Sequence, residues 1–361
     1  MRARHAIAAL TVAAITVTTA TACSAFNELS AAQKLHDGVE KLNNSKEVTI
    51  DFQITATPDE LLAFDAANSS DTSKMTRAQA KQIAGLGITL EMRSKKPLKD
   101  VLAKTDTSTG KVDPDLNLGL ALHNGNHKNL AEFRTVKGTG YVKLDLMELA
   151  KLGGDSKSAN EIKAMQAETD SLPRYMKPLK SLMQGDWISI DPTKFAELSK
   201  QATDDTPASP MPSLNPSQQQ KITDTLSKIF VKDATLTDKG SRNGLDTIEI
   251  KTNARNLIAD IQKQVFPLFK DVPGFDSKMP TEAPTSVPTT PATITVQLNK
   301  DKGTLNNIST DLSQFDVEGK GTHFPIAINF KNTAAHTTAP AGAINFDPSL
   351  LEGMFGPSLE D

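Results

Sequence analysis

Apolar and polar residues alternate along several segments of the chain with the two-residue period of a β-strand. Residues 48–54 read Val-Thr-Ile-Asp-Phe-Gln-Ile, so every second side chain is apolar. The same alternation returns in residues 86–92, 116–122, 248–250, 294–298 and 326–330. Because successive side chains of a strand point to opposite faces, each segment predicts a strand with one apolar and one polar face.

Turn-forming residues lie between these predicted strands. Asn124-Gly125, Asn243-Gly244 and Asp301-Lys302-Gly303 are typical of hairpin connections. Strands with one apolar face belong to antiparallel sheets that are wetted on the other side, whereas parallel sheets have strands that are apolar throughout. We therefore expect an α+β fold with an antiparallel sheet, and not a doubly wound nucleotide-binding fold.

Other segments have the period of an amphipathic helix. Leu29, Ala32, Leu35, Val39 and Leu42 recur at three- and four-residue steps and predict a helix over residues 28–43. Comparable patterns lie in residues 162–183, 222–230 and 257–269. We expect these helices to cover the apolar face of the sheet, with helix 28–43 among them.

Prolines interrupt the chain in two places, near residues 206–216 and 273–291. The prolines of these segments are Pro207, Pro210, Pro212 and Pro216, and then Pro273, Pro280, Pro284, Pro288 and Pro291. Proline lacks the backbone N–H that a helix or a sheet ladder requires. Both segments are therefore predicted to be linkers or extended surface loops.

The N-terminus has the organisation of a secretory signal peptide. Arg2, Arg4 and His5 precede an uncharged run over residues 6–20, and Thr21 and Ala22 follow before Cys23. This run is shorter than the roughly 20 apolar residues of a membrane-spanning helix. A small residue directly before the cysteine resembles the lipobox of bacterial lipoproteins, in which the cysteine is acylated and becomes the first residue of the mature protein.

The composition of the chain argues against nucleic-acid binding and against sites built from several cysteines. The formal net charge is -3, with 40 basic and 43 acidic side chains, so there is no basic field for nucleic acid. The single cysteine excludes an internal disulfide and cysteine-rich metal or iron–sulfur sites. Hydrophobic residues make up 38% of the chain, which suffices for a core.

Candidate catalytic and metal-binding groups are sparse. His123 and His127 flank a predicted turn without a third ligand, and we interpret them as solvated turn residues. Ser108 and Lys111 have a Ser-x-x-Lys spacing but lack the accompanying motifs of acyl-transferring enzymes. Asp113 and Asp115 flank a proline and are interpreted as loop residues. We expect no enzyme, no metal and no cofactor.

Apolar residues are the more informative candidates. Met165, Met176 and Met183 are interspersed with leucines, and the apolar stripe over residues 257–269 is wider than one helical face. Methionine is unbranched and adapts to variable surfaces, which suits a pocket for acyl chains. The same residues could fill an ordinary core, and the pattern alone leaves both interpretations open.

The order of features along the chain resembles a known family. The lipobox and the amphipathic helix are followed by the strings Gly-Thr-Gly-Tyr-Val-Lys-Leu (138–144), Gly-Asp-Trp-Ile-Ser-Ile-Asp (185–191), Ile-Thr-Val-Gln-Leu (294–298) and Phe-Pro-Ile-Ala-Ile (324–328). This order is similar to that of the LppX/LprA/LprF/LprG lipoproteins of actinobacteria. Cys23 is the one position that carries over with a defined role, as the acylated residue.

The resemblance implies a LolA-type half-barrel, in which a curved, open antiparallel sheet wraps around helices and encloses a hydrophobic cavity for acylated lipids. The implied organisation is a signal peptide (1–22), a lipidated anchor and tether (23–27), one lipid-binding domain (28–350) and a C-terminal tail (351–361). The residues expected to line the cavity are Phe52, Leu90, Leu118, Leu120, Met176, Met183, Phe266 and Phe269.

The expected function is that of an extracytoplasmic lipoprotein, anchored to the cell membrane by palmitate-type acyl chains, that binds and transports acylated lipids without covalent chemistry. Its expected partners are a membrane lipid or lipoglycan ligand, the membrane itself and a membrane transporter, with no nucleic acid. The alternative is a surface lipoprotein with a filled core that acts through a protein partner, as a sensor or an assembly factor.

Overall fold

The structure, a computed structural model, describes residues 26–68, 74–102, 113–152, 156–168, 176–191, 216–269, 287–315 and 321–346. Within these ranges the chain forms nine α-helices and twelve β-strands. The helices are α1 (Phe26–Asn44), α2 (Pro58–Asn68), α3 (Arg77–Ile83), α4 (Leu98–Leu102), α5 (Leu146–Leu152), α6 (Ser156–Glu168), α7 (Lys177–Met183), α8 (Pro216–Asp233) and α9 (Ala254–Gln264). The strands are β1 (Glu47–Ile54), β2 (Gly87–Ser94), β3 (Leu116–His123), β4 (Asn129–Val136), β5 (Thr139–Leu144), β6 (Ile188–Ile190), β7 (Ala234–Arg242), β8 (Leu245–Asn253), β9 (Pro291–Asn299), β10 (Leu305–Asp311), β11 (Pro325–Lys331) and β12 (Ile344–Phe346).

All twelve strands belong to one open sheet, with the order β12-β6-β5-β4-β3-β2-β1-β11-β10-β9-β8-β7. Every neighbouring pair is antiparallel except β12 and β6, which run parallel. The predicted α+β class and the mainly antiparallel sheet are therefore confirmed. The three predicted hairpins join β3 to β4, β7 to β8 and β9 to β10.

The register places the alternating apolar residues on one face. Phe52 lies opposite Ile328 on one side and Ile88 on the other, and Val296 lies opposite both Ile248 and Ile308. Directly opposed residues of paired strands share a face, so the apolar sets of all these strands combine into one surface. Phe52, Leu90, Leu118, Ile294 and Val296, which all belong to the predicted alternating segments, lie on it.

Helix α1 covers one end of this apolar face. Its buried side chains Ala31, Leu35, Val39 and Leu42 join the largest core cluster. Leu35, Val39 and Leu42 were predicted, whereas Ala31 takes the place expected of Ala32, which is half-buried. The strand residues of the same cluster include Val48, Met92, Leu116, Ile248, Val296, Leu298, Leu305, Ile308 and Phe330. Ion pairs from Lys34 to Asp238 and Asp246 fix the helix to β7 and β8.

Three smaller clusters lie around this core. One joins α2 and α3 through Leu61 and Ala80. A second joins α8, α9 and the 3-10 helix 266–269 through Ile229, Leu257 and Val265. The third packs Ile258 of α9 against Val287. Helix α9 begins directly after β8 because the side chain of Asn253 accepts a hydrogen bond from the backbone N–H of Asn256.

The proline-rich segments were predicted as loops, and this was wrong at their C-terminal ends. Pro216 is the first residue of α8, and Pro291 is the first residue of β9. Proline is tolerated at both positions, since the first N–H groups of a helix have no intrahelical partner and a strand can begin on a residue without a donor. Residues 206–215 and 273–286 lie outside the described residues.

Four short helices were not predicted, namely α2, α3, α4 and α5. The sequence did contain a signal for α3, because Thr76 and Gln79 form a capping box in which each side chain binds the backbone N–H of the other. None of the described helices is long and apolar enough to span a membrane.

Candidate functional site

The apolar face of the sheet has a closed end and an open centre. At the end that α1 covers, Val48 and Leu116 are each 1% exposed. Toward the centre, three large apolar side chains on consecutive strands remain open, namely Ile88 of β2 (47% exposed), Leu120 of β3 (45%) and Phe133 of β4 (41%).

The pairing brings these three side chains together. Leu120 lies opposite Phe133 in β4 and opposite Leu90 in β2, and Ile88 is two residues from Leu90 on the same face. We call Ile88, Leu120 and Phe133 the open apolar patch. Contiguous exposed apolar surface of this kind marks places where lipids, membranes or other proteins bind.

Four of the predicted cavity residues lie at this patch or beside it. Leu120 belongs to it, and Phe52, Leu90 and Leu118 are half-buried neighbours on the same face. Leu90 and Leu118 also pack against the main core cluster, so they mark the border between the closed end and the open centre.

The predicted methionines lie near the β5 side of the sheet. Met176 precedes α7 and Met183 ends it, and both are half-buried. Met183 lines a cleft of about 580 Å³ together with Met147, Lys143 and His127. The carbonyl oxygen of Met183 also accepts a hydrogen bond of 2.6 Å from the side chain of Gln166, which ties α7 to α6.

The predicted phenylalanines lie in the 3-10 helix 266–269 that follows α9. Phe269 packs into the cluster of Ile229, Leu257 and Val265 between α8 and α9, and Phe266 is half-buried in the same short helix. The described packing of Phe269 is with this helical cluster, whereas Leu120 lies on β3, in the other half of the strand order.

The polar face was expected to be wetted, and this expectation is wrong for part of it. Residues 332–343, which we call the strap, run from β11 to β12 and lie across β1 to β4 on this face. The hydroxyl of Thr49 donates to the carbonyl oxygen of Thr333, and the guanidinium of Arg134 donates to that of Thr338. Glu91 accepts hydrogen bonds from both the backbone N–H and the imidazole of His336.

Two residues of the strap are buried, and its other residues are half-buried or exposed. Ala334 and Thr337 are each 1% exposed, and Glu91 beneath the strap is 6% exposed. Gly119 of β3 permits this close approach, since a Cβ atom there would lie 3.0 Å from the carbonyl oxygen of His336. The strap ends where the backbone N–H of Ile344 donates to the carbonyl oxygen of Trp187.

His123 is a further correction, because the sequence predicted a solvated turn residue. It is the last residue of β3 and is 3% exposed, and its Nε2 lies 2.8 Å from Oδ1 of Asp51. The same carboxylate oxygen accepts a hydrogen bond from the hydroxyl of Thr89. His127 does lie in the turn, with its ring centroid 5.4 Å from that of His123.

The sequence pattern did not indicate that charged side chains of the polar face would be functional candidates. Asp51, Glu91 and Glu132 occupy polar-face positions of three strands, and their side chains are 17%, 7% and 11% exposed. Arg134 binds Glu132 and stacks its guanidinium over the ring of Trp187 at 4.5 Å. The alternation marked all of these as solvent-facing, and the sequence pattern held no signal for the strap that covers them.

One group of described residues has ligand atoms close enough for a metal ion. His36, Asp37 and Glu40 of α1 place one ligand atom each within 4.8 Å of one another. His36 is half-buried, and both acidic residues are exposed. Exposed acidic groups of this kind are ordinary features of a helix surface, and we assign no site to them.

Several sequence predictions fall outside the described residues. These are Cys23 with the signal peptide, Ser108 with Lys111, and the tail 351–361. Asp113 and Asp115 are described and lie in the loop before β3, as expected, where Asp115 pairs with Lys96 at 3.0 Å. Comparison of the chain with protein-family models and with curated protein sequences found no match.

Proposed function

We propose that the protein is an extracytoplasmic lipoprotein, anchored to the cell membrane through acylated Cys23, that binds and carries acylated lipids against the apolar face of its sheet. The observation that carries the proposal is the open apolar patch, in which Ile88, Leu120 and Phe133 stay 41–47% exposed on three adjacent strands. The open sheet, with helix α1 on the apolar side, is the arrangement expected of a half-barrel with a cavity.

The energetics set a requirement on such a carrier. Transfer of a methylene group from water into an apolar site is favourable by about 0.8 kcal/mol, so a sixteen-carbon chain gains on the order of 12 kcal/mol. A membrane offers nearly the same gain. The protein must therefore shelter most of the chain, and the line from Leu118 and Leu90 to the open apolar patch supplies a continuous apolar surface for it.

Charged groups are absent from the part of this surface that the structure describes at its centre. The patch spans two rows of opposed residues from β1 to β5. One row consists of Ile50, Leu90, Leu120, Phe133 and Val142, and the other of Phe52, Ile88, Leu122, Ala131 and Leu144. Carboxylates and ammonium groups of these strands take the other face. An acyl chain placed along either row would therefore not desolvate a charge.

The test is the substitution Leu120→Trp, which fills the space above the patch. Delipidated protein is refilled with a phospholipid carrying sixteen-carbon chains, and bound lipid is counted by native mass spectrometry. The variant should bind at least tenfold less lipid and unfold at a temperature close to that of the wild type, because Leu120 is 45% exposed and the larger ring is not forced into a packed core.

Leu102→Trp is the matched control. Leu102 ends α4, whose Leu98 and Val101 pack into the core cluster at the closed end of the sheet, and it is 44% exposed, so the same change is made at nearly the same exposure outside the open apolar patch. Lipid uptake should stay at the wild-type level. A wild-type protein that takes up no lipid, or a Leu120→Trp variant that binds lipid as the wild type does, would contradict the proposal.

The open apolar patch also suits the alternative, a surface lipoprotein that docks a protein partner as a sensor or assembly factor. Both functions use the same side chains, but only the lipid carrier holds lipid in a purified, monomeric protein. Native mass spectrometry of the wild type therefore separates them, and a membrane transporter that receives the lipid would be sought only after uptake is found.

A further inference from the structure

A cleft of about 410 Å³ lies on the polar face of the sheet beside the strap. Its volume falls within the roughly 300 to 1,000 Å³ of ordinary ligand sites. Asp51, Glu91, Glu132 and Arg134 line it from the sheet, and His336 lines it from the strap. Leu120 and Phe133 also border the cleft, although the alternation of the strands turns their side chains to the opposite face, where they form the open apolar patch.

Each carboxylate at the base of the cleft already has a side-chain partner. Asp51 binds His123, Glu91 binds His336, and Glu132 binds Arg134 through Oε2 at 3.0 Å. A free anion would meet three carboxylates here, which disfavours phosphate or carboxylate ligands. An apolar chain would desolvate these charges without replacing their hydrogen bonds.

Hydrogen-bonding capacity remains open toward the cleft. Among the described residues, nothing donates to Oδ2 of Asp51 or to Oε1 of Glu132, although both side chains are more than four-fifths buried. Donors are also open at the rim, since the Lys331 ammonium and the Asn129 amide make no described hydrogen bond. The cleft therefore offers acceptors at its base and donors at its rim.

A hydroxyl group donates one hydrogen bond and accepts others, so it can satisfy both kinds of group at once. A primary amine would satisfy the carboxylates but would be repelled by Arg134 and Lys331. We propose that this cleft binds an uncharged, hydroxyl-rich group such as a sugar. The base carboxylates Asp51 and Glu132 accept hydrogen bonds from the ligand's hydroxyls, and the rim groups donate to its oxygens.

The experiment uses maltose as the probe, with inorganic phosphate and ethylamine as probes of the two disfavoured classes. Binding to the full-length mature protein is measured by saturation-transfer NMR and by calorimetry. We expect millimolar or tighter binding of maltose and none of the other two. Glu132→Gln should weaken maltose binding about tenfold, because a charged acceptor facing the cleft is lost.

Glu249→Gln is the matched control, since Glu249 lies on β8, is 22% exposed and is likewise paired with a cation, Lys251, at 3.1 Å. It should leave maltose binding unchanged. Asn129→Ala provides a second test that keeps the Glu132–Arg134 pair, and it should also weaken binding. The proposal would be overturned if the wild type did not bind maltose, or if Glu132→Gln and Asn129→Ala bound it as tightly as the wild type. It would also be overturned if the wild type bound phosphate or ethylamine in preference to maltose.

Two further measurements test whether the sugar is free or part of a glycolipid, and whether it binds in the cleft or on the apolar face. Octyl maltoside below its micelle concentration should bind with the affinity of maltose if the sugar alone is recognised, and more tightly if the site serves a glycolipid. Ile88→Ser alters the open apolar patch and should leave maltose binding intact. A loss of maltose binding in that variant would assign the sugar to the apolar face and contradict the cleft.

Discussion

The imidazole of His123 reaches the carboxylate of Asp51 across an intervening strand. Nε2 of His123 lies 2.8 Å from Oδ1 of Asp51, although β2 separates β3 from β1. Gly87 of β2 makes room for the ring. A Cβ atom at Gly87 would lie 2.5 Å from Cε1 of His123 and 2.6 Å from the backbone oxygen of Phe52.

Replacement of Gly87 by alanine is therefore expected to destabilise the sheet. The added methyl group must displace either the imidazole or the backbone of β1, and overpacking of this kind costs about 1–3 kcal/mol. Urea denaturation of Gly87→Ala measures the free energy of unfolding. In a His123→Ala background the same substitution should cost less, since one of the two close contacts is gone; an equal cost in both backgrounds would show that the ring does not depend on Gly87.

The ion pair between Lys34 and Asp238 is predicted to fix α1 to the sheet. Nζ of Lys34 lies 2.8 Å from Oδ2 of Asp238. The hydrogen bond between them raises the pKa of Lys34 and lowers the pKa of Asp238. A double-mutant cycle of Lys34→Ala and Asp238→Ala should give a coupling of about 0.2–1 kcal/mol that falls in 1 M salt. The control cycle of Lys302→Ala with Asp238→Ala should give no coupling.

The pair of His323 and Asp311 predicts a pH dependence of stability. The hydrogen bond to Asp311 raises the pKa of His323 above 6.5. Burial pushes the pKa of Asp311 upward, but hydrogen bonds from the Phe324 N–H, His323 and Ser313 outweigh it and hold that pKa below 3.8. The contribution of His323 to the free energy of unfolding is complete below about pH 6.5 and is lost as the pH rises through the raised pKa of His323. The contribution of Asp311 is lost as the pH falls below about 4.

Thermal unfolding of the wild type and of His323→Gln between pH 5 and pH 9 checks this prediction. The wild type should unfold at a higher temperature at pH 5, and the difference should disappear toward pH 9. His127→Gln serves as the control, since His127 makes no described ion pair. A difference that is the same at all pH values would show that His323 acts by packing alone.

Cys23→Ser is expected to release the protein from the membrane. The thiol is the group that accepts the lipid in a lipobox, and a hydroxyl does not replace it. Membrane fractionation and sensitivity of processing to globomycin measure the effect. Ser24→Ala, one residue further along the chain, should stay with the membrane, and a Cys23→Ser variant that also stays there would contradict the anchor.

The sequence alone predicted much of the fold because the information is local. A strand buried on one face must alternate, so residues 48–54 and 294–298 marked both their strands and their apolar sides. The period over residues 28–43 likewise marked α1. The apolar half of the candidate site, with Phe52, Leu90, Leu118 and Leu120 on one face, followed from the same alternation, since register places every second residue on the same side.

Only the tertiary structure decided which polar residues are covered and which apolar ones stay open. Glu91 reads as a solvent-facing position of β2, yet it is buried because His336, 245 residues further along the chain, lies over it. Leu120 was expected to line an enclosed cavity, yet it is 45% exposed, while Phe269 packs in the cluster between α8 and α9. Burial depends on what packs above a strand, and that partner comes from a distant segment that the local pattern does not specify.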